Sequence, residues 1–233
     1  KIRNKYFDLI IYGSIRRSNL FLEEVIKYNN KFLFIDGEDD NYIETKYSNL
    51  GLYFKRELLA EHSKIRPISF AIPKSKILKE IDYNPKNILA PLIPGRLNTY
   101  IYDDESSYYE MYKRSIFALT YKKAGWDCLR HYEILMNGCI PLFLDIKNCP
   151  TTTISTLPKD QLIYSLNNFD KIFSFYNPFK IFKKKYLTFQ RIFSFLRFKY
   201  KKKNLEKFIQ ENGEVFEIKK NLLDYTKKNL TTE

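Results

Sequence analysis

The chain has 233 residues, of which 44% are hydrophobic and 17% aromatic, a composition that indicates a packed globular protein and argues against a long disordered tail. Its 40 basic and 27 acidic residues give a net charge of +13, which suits phosphorylated substrates, nucleic acid or anionic lipid without choosing among them. Three cysteines without short paired spacings argue against a disulfide framework and a structural zinc site, so we expect a reducing compartment.

Hydrophobic runs in the chain are too short for a membrane span. None reaches the roughly 18 residues that a bilayer requires, and no signal peptide is visible at Lys1. We therefore expect a protein that is cytoplasmic or peripheral to a membrane. The sequence leaves open whether an anchor precedes Lys1.

The first forty residues predict a β-α-β unit. Residues 7–14 form an apolar strand, residues 19–29 an amphipathic helix, and a second strand begins at residue 31. Parallel strands joined by a helix imply an α/β sheet, whose ligands bind beyond the carboxyl ends of the strands. The candidate positions are Gly13, Ser14, Arg16 and Arg17 after the first strand, and Asp36, Glu38, Asp39 and Asp40 at the end of the second. A simple turn or helix cap is the alternative at each place.

Two mixed segments follow, over residues 51–58 and 65–74, and both predict strands. Lys55 and Arg56 at the end of the first are candidate substrate contacts, with a solvated strand edge as the alternative. Residues 84–87 predict a loop, and a further strand is predicted from residue 88 to Gly95 and Arg96. Because Arg96 follows that strand, it is a candidate contact for phosphate. These features predict an N-terminal α/β lobe over residues 1–86 and a second lobe over residues 87–175.

The most informative stretch is residues 115–145. It predicts a strand at 116–121, a loop with Lys122, Lys123 and Gly125, a helix from Asp127 to residue 137, a stop at Gly138 and a strand from residue 140. A helix N-terminus beside two lysines suits a diphosphate. Arg130 and Glu133 share one helix face, so Arg130 can meet phosphate while Glu133 accepts from sugar or ribose hydroxyls. A solvated salt bridge between the two is the alternative.

Residues 87–145 resemble the donor-binding half of exostosin-like glycosyltransferases. The family pattern of an arginine, a glutamate and a Gly-Cys-Ile/Val-Pro run is matched here by Arg130, Glu133, Gly138, Cys139, Ile140 and Pro141. The match covers about a quarter of the chain. The resemblance implies a GT-B-like α/β fold with two Rossmann-like lobes, parallel sheets and C-terminal helices. It also implies a hexosyl- or pentosyltransferase that acts in glycan biosynthesis.

The resemblance gives each candidate residue an expected role. The donor, a UDP-sugar in preference to a GDP-sugar, is expected to meet Arg96, Lys122, Lys123, Gly125, Asp127, Arg130 and Glu133. Asp36, Glu38, Lys55 and Arg56 are expected to bind a glycan or glycolipid acceptor. Arg130 would stabilise the leaving diphosphate and Asp39 would act as the base. No metal is expected, because no Asp-x-Asp motif follows a strand in the donor half.

The segment from residue 176 to 233 is the third predicted region. Residues 171–205 contain no acidic residue, and their aromatic residues recur at helical spacing: Phe182, Tyr186, Phe189, Phe193, Leu196 and Tyr200. This stripe predicts a helix that packs on the core, lies on an anionic membrane surface or contacts nucleic acid. We do not expect nucleic acid to be the partner, but a nucleic-acid-binding protein and an inactive, sugar-binding transferase subunit are the alternatives to an enzyme. One or two closing helices are predicted after residue 206.

Overall fold

A computed structural model describes residues 1–13, 16–28, 31–174 and 202–232, which form two compact units. The first unit comprises Lys1–Phe70, Lys122–Cys128 and Asn148–Leu157. The second comprises Ala71–Tyr121, Leu129–Lys147 and the described residues of Pro158–Glu233. The chain therefore returns twice to the first unit after leaving it, while the predicted lobe boundaries at residues 86 and 175 stay a prediction.

A parallel sheet organises the first unit. Its strands lie in chain order, β1 (Ile10–Gly13), β2 (Phe32–Asp36), β3 (Leu52–Lys55) and β4 (Ile65–Pro67). Two helices lie in the connections, α1 (Leu22–Tyr28) and α2 (Thr45–Ser48). The register aligns Asp36 with Lys55, so the polar ends of β2 and β3 meet at the same edge of the sheet.

Aromatic side chains build the core of this first unit. Phe34 and Tyr53 are fully buried, and they pack with Tyr47, Leu58 and Ile65. Rings of this size bury large apolar areas, so that even a sheet of few residues can form a core. This core supports β2 and β3 and thereby positions the charged residues at their carboxyl ends.

The second unit contains another parallel sheet. Its strands are β5 (Asn87–Leu89), β6 (Ser115–Thr120) and β7 (Ile140–Phe143), with β6 in the centre. Every residue of β6 is buried, as expected for a strand of a parallel sheet that is covered on both faces. The connections contain α3 (Glu105–Lys113), which begins with an Asp104 cap to the Ser107 N–H, and α4 (Leu129–Met136). The predicted α/β class with parallel sheets is confirmed.

The strand predicted from residue 88 to Arg96 is wrong in length. β5 ends at Leu89, and the chain then turns through a loop that contains Pro91 and Pro94. Proline has no N–H to donate to a ladder, so two prolines within four residues prevent the strand from continuing. Gly95 has a φ of +80°, a conformation that glycine adopts without a steric penalty.

The predicted helix over residues 127–137 begins two residues later, at Leu129, and its predicted stop is confirmed. Gly138 has a φ of +63°, and the N–H of Cys139 bonds to the carbonyl of Ile134. Left-handed glycine of this kind commonly follows a helix end. It turns the chain directly into β7.

Helices close the second unit. α5 (Lys159–Ser174) begins after Pro158, and α6 (Lys202–Glu211) and α7 (Glu214–Asn229) form the predicted closing helices. Lys219 of α7 is buried and its Nζ lies 3.3 Å from the Ser115 carbonyl, which ties α7 to β6. Most of the predicted basic aromatic helix falls on residues 175–201, which lie outside the described residues. Among the helices that the structure describes, none is long and apolar enough to cross a membrane.

Candidate functional sites in the two units

Asp36 and Lys55 form a buried ion pair at the carboxyl ends of β2 and β3. Lys55 Nζ lies 3.1 Å from Asp36 Oδ1, and both side chains have no exposed surface. The other carboxylate oxygen accepts the Tyr53 hydroxyl at 2.7 Å and lies 3.2 Å from Arg16 Nε. Burial, with the Asp36 bond, raises the pKa of Tyr53 well above its usual range. Asp36 is therefore held by two cations and the Tyr53 hydroxyl, which lets the fold keep a carboxylate where water is excluded.

Salt bridges connect the acidic loop after β2 with the chain that follows β1. Arg17 bonds to Glu38 through both oxygens, at 2.5 and 2.9 Å, and Arg16 bonds to Asp40 at 2.9 Å. The hydrogen bonds from these arginines lower the pKa of Glu38 and of Asp40. Ser14 lies outside the described residues.

Arg56 is a buried hub of the first unit. Its Nε and Nη2 donate to the Gly37 carbonyl at 3.0 and 2.7 Å, and Nη2 also bonds to Asp39. Nη1 donates to the Asp127 carbonyl. The predicted acceptor residue Arg56, the predicted base Asp39 and the predicted donor residue Asp127 are thus brought together, and one oxygen of Asp39 is occupied by the guanidinium.

Glu57 is a functional candidate that the sequence analysis missed. Its buried carboxylate accepts the N–H of Trp126 through Oε2 and that of Asp127 through Oε1, both at 2.9 Å. These are backbone donors of the loop that was predicted to hold a diphosphate. A phosphate can use them only if Glu57 gives them up. The one available signal was that Glu57 directly follows the candidates Lys55 and Arg56.

The lysines of this loop lie at the surface. Lys122 and Lys123 are exposed, and Lys122 Nζ lies 5.2 Å from the centre of the Trp126 ring. Asp127 is buried, and its Oδ2 accepts the Phe70 N–H at 3.0 Å. Asp127 therefore fixes the loop, whereas the two lysines present positive charge at the surface.

Residue 58 anchors the second returning segment of the first unit. The Leu58 carbonyl accepts the hydroxyls of Thr152 and Thr153, the latter at 2.8 Å. Three consecutive residues after β3 thus hold both segments that return to this unit. The hydroxyls of Thr152 and Thr153 thus both donate to the backbone of the first unit.

In the second unit, Tyr100 joins Arg130 to the loop after β5. The Tyr100 hydroxyl accepts the Gly95 N–H at 3.3 Å and lies 3.5 Å from Arg130 Nη2. Gly95 also lies close to Tyr121, since a Cβ on Gly95 would be 2.9 Å from that hydroxyl. Arg96 is next in the chain, so the predicted residue Arg130 lies beside the loop that carries the predicted residue Arg96. Tyr100, which joins the two, was missed by the sequence analysis.

Glu133 makes no salt bridge with Arg130. Its half-buried carboxylate accepts the Tyr108 hydroxyl at 2.8 Å through Oε2, and the structure gives no partner for Oε1 among the residues it describes. The Tyr108 hydroxyl in turn lies 3.1 Å from that of Tyr112. The charge of Arg130 lowers the pKa of Tyr112, whereas the charge of Glu133 raises it. The alternative of a solvated i,i+3 salt bridge is therefore wrong for this pair.

The predicted donor residues are divided between the units. Arg96, Arg130 and Glu133 belong to the second, whereas Lys122, Lys123, Gly125 and Asp127 belong to the first. Each unit alone presents a polar cluster at the carboxyl ends of its parallel strands, where ligands of open α/β sheets bind. The roles of the residues in each cluster stay predictions.

The part of the chain that the structure describes contains no group of three or more histidine, cysteine or acidic side chains that could hold a metal ion. His131 bonds to Thr120 at 2.8 Å through Nδ1 and stacks on Phe143, with 4.3 Å between the ring centres. Its ring is part of the packing between α4 and the sheet.

Comparison with known proteins gave no relative: no family model matches the chain, and neither curated proteins nor solved structures gave a significant match.

Proposed function

We propose that this protein is a glycosyltransferase, which moves a hexose or pentose from a nucleotide-diphosphate donor to a hydroxyl of a glycan or glycolipid acceptor. The observation that carries the proposal is Glu133. A half-buried carboxylate whose Oε2 accepts the Tyr108 hydroxyl and whose Oε1 can accept a further hydrogen bond suits the hydroxyls of a sugar or ribose. The resemblance of residues 87–145 to exostosin-like transferases supports the same function.

Arg130 is the residue that we propose for the leaving diphosphate. It lies in the first turn of α4, beside Tyr100 and the loop that carries Arg96. A guanidinium stabilises negative charge on phosphate through paired hydrogen bonds. Charge that develops on the leaving group would be offset by Arg130 and Arg96, which belong to the same unit.

The GT-B arrangement belongs to this proposal. In it, the second unit binds the donor and the first supplies acceptor contacts from Asp36, Glu38, Lys55 and Arg56. Asp39 is the proposed base, and its exposed carboxylate must exchange the Arg56 contact for the acceptor hydroxyl before it can take the proton. UDP-sugar is the favoured donor, no metal is required, and the enzyme works in the cytoplasm or at a membrane surface.

A sugar-binding subunit without transfer is the second candidate. Two observations favour it: Arg56 occupies the proposed base, and Glu57 occupies the loop N–H groups of Trp126 and Asp127. Such a protein would bind the nucleotide sugar and leave it intact.

The test is a titration of the purified protein with UDP, GDP, CMP and their sugars, followed by thermal stability and then by donor hydrolysis and transfer. We expect one nucleotide class to stabilise the protein. Arg130→Ala should then lower the rate of transfer by about 10²–10³. Arg66→Ala, which removes an exposed arginine of β4, is the control and should change neither measurement.

The outcomes separate the candidates. Binding without turnover favours the sugar-binding subunit, and wild-type turnover in Arg130→Ala contradicts the role of Arg130. A protein that responds to none of the nucleotides or their sugars is not a transferase of this kind.

A further inference from the structure

The carboxylate of Glu133 stands at the end of a chain of hydroxyl groups. Tyr108 lies 2.8 Å from Glu133 Oε2 and 3.1 Å from the Tyr112 hydroxyl. An ionised carboxylate accepts only, so the Tyr108 proton is directed to Glu133. The Tyr108 oxygen then accepts a hydrogen bond from the Tyr112 hydroxyl. The hydrogen bonds therefore run in one direction: Tyr112 donates to Tyr108, and Tyr108 donates to Glu133.

Both tyrosines are held firmly by the core of the second unit. Tyr112 is buried with Ala90, Met111 and Ile134, and Tyr108 packs against this cluster. Their rings meet edge to face, with 5.1 Å between the centres. Burial raises the pKa of both tyrosines well above the usual range, so both hydroxyls stay protonated at physiological pH. The donor to Glu133 is therefore always present.

The backbone of Glu133 is restrained as well. Its carbonyl accepts Asn137 Nδ2 at 2.8 Å, from the residue that directly follows α4. The Tyr108 bond then limits rotation of the carboxylate about its last torsion. Oε2 is committed to the tyrosine, and the geometry leaves Oε1 as the oxygen for a ligand.

We propose that Tyr108 and Tyr112 are positioning residues, which orient Glu133 so that Oε1 accepts hydroxyls of a carbohydrate ring. This inference rests on the proposed function and refines it. The ring is either the ribose of the donor nucleotide or the transferred sugar. Both present neighbouring hydroxyl donors, which a carboxylate binds more tightly when it does not have to lose rotational freedom.

The experiment measures dissociation constants by calorimetry for UDP and GDP, for their 2′,3′-dideoxy forms, and for UDP-glucose and GDP-mannose. We expect the wild type to bind one ribonucleotide about tenfold more tightly than its dideoxy form. Tyr108→Phe should reduce this ratio to about threefold or less while it leaves the affinity for the dideoxy form unchanged, because only the hydroxyl contact is weakened. Tyr112→Phe should have a smaller effect of the same kind.

Tyr109→Phe is the matched control, since Tyr109 lies on the same helix but bonds to the exposed Glu105. It should leave the ratio unchanged. If Glu133 meets the transferred sugar, the affected quantity is instead the gain in affinity from nucleotide to nucleotide sugar. Glu133→Gln serves as a second variant in case Tyr108→Phe fails to fold, and it should lose the same discrimination.

If Tyr108→Phe or Glu133→Gln changes neither the ratio of ribonucleotide to dideoxynucleotide affinity nor the gain in affinity from nucleotide to nucleotide sugar, the inference is overturned, whatever the fate of the proposed function. If the variants lose this discrimination but the wild type transfers no sugar, the inference is supported and the proposed enzymatic activity is contradicted. If none of the nucleotides or nucleotide sugars binds to the wild type, the inference and the proposed function fail together.

Discussion

Gly125 lies directly against the buried carboxylate of Glu57: a Cβ atom on Gly125 would come within 2.6 Å of Oε1 and 2.8 Å of Cδ. The absence of a side chain at residue 125 therefore allows Glu57 to reach the N–H groups of Trp126 and Asp127. A glycine that sequence analysis assigns to phosphate binding is explained here by close approach of a protein carboxylate.

The effects of substitutions at Gly125 and Glu57 on the free energy of unfolding should be strongly non-additive. Gly125→Ala should lower the free energy of unfolding by about 1–3 kcal/mol, because the new methyl group overlaps Glu57. Glu57→Ala should cost about 1–3 kcal/mol for each buried N–H that loses its acceptor. In the double variant the overlap is absent, so the two costs should not add. Denaturation followed by fluorescence measures all three, since Trp126 is the single tryptophan of the chain.

Glu61→Ala is the control for this cycle, because Glu61 is an exposed carboxylate in the same β3–β4 connection. It should change neither the stability nor the emission maximum of Trp126. Equal cost of Gly125→Ala with and without Glu57 would contradict the explanation.

Replacement by alanine should cost much more stability at one of two glycines next to helices than at the other. At Gly138, with φ of +63°, alanine should cost about 1–2 kcal/mol from left-handed strain. The added Cβ would also lie 3.3 Å from Ile81 and Leu78 side-chain atoms. Gly213 has φ of −56° and open space around a Cβ, so alanine there should change stability by less than about 0.5 kcal/mol. Urea unfolding of both variants checks the difference, and similar losses at both positions would refute it.

Removal of the Lys55 ammonium should be costly. Lys55→Met leaves Asp36 buried without its closest cation and should lower the free energy of unfolding by about 3–5 kcal/mol. Adding Asp36→Asn removes the uncompensated charge, so the double variant should regain part of the loss. Lys46→Met, at an exposed lysine, should have little effect. Chemical denaturation of wild type, Lys55→Met, Asp36→Asn, the double variant and Lys46→Met decides the matter, and a double variant as unstable as the sum of the single changes would argue against charge as the cause.

Cys139 should be the slowest thiol of the protein. It is buried, and burial raises its pKa to about 12, whereas Cys128 and Cys149 are half-buried. A thiol reagent at pH 8 should modify the latter two in the native protein and Cys139 only after unfolding. Modification of three thiols in the native state would contradict this assignment.

The same burial predicts a pH dependence of stability. The thiol of the unfolded chain ionises near pH 8.5, below the folded value, so the contribution of Cys139 is complete below about pH 8.5 and falls as the pH rises towards 12. The measurement is the difference in stability between wild type and Cys139→Ala, taken from pH 7 to 10. A difference that grows with pH would show the opposite sign and refute the prediction.

Local patterns were sufficient for most of the secondary structure. Alternating strand and helix periodicities predicted the α/β class, and Gly138 was identified correctly as the end of a helix. The strand before Arg96 failed because its apolar residues suggested an extended run, whereas Pro91 and Pro94 end the ladder after Leu89. Apolar periodicity measures burial, and the loop after β5 is buried at Leu92 and Ile93 without being a strand.

The candidate sites show which features follow from the sequence and which follow only from the tertiary structure. From the sequence alone came the parallel sheets, the collection of charged residues at strand ends, and the shared helix face of Arg130 and Glu133. Only the tertiary structure decided which of the charged side chains already bond to other groups of the protein. Glu57 meets donors 69 and 70 residues away, and Glu133 bonds to Tyr108 of another helix rather than to Arg130 one turn before it. Periodicity describes neighbours within one element, whereas a hydrogen bond between elements depends on their packing, which is set by the whole core.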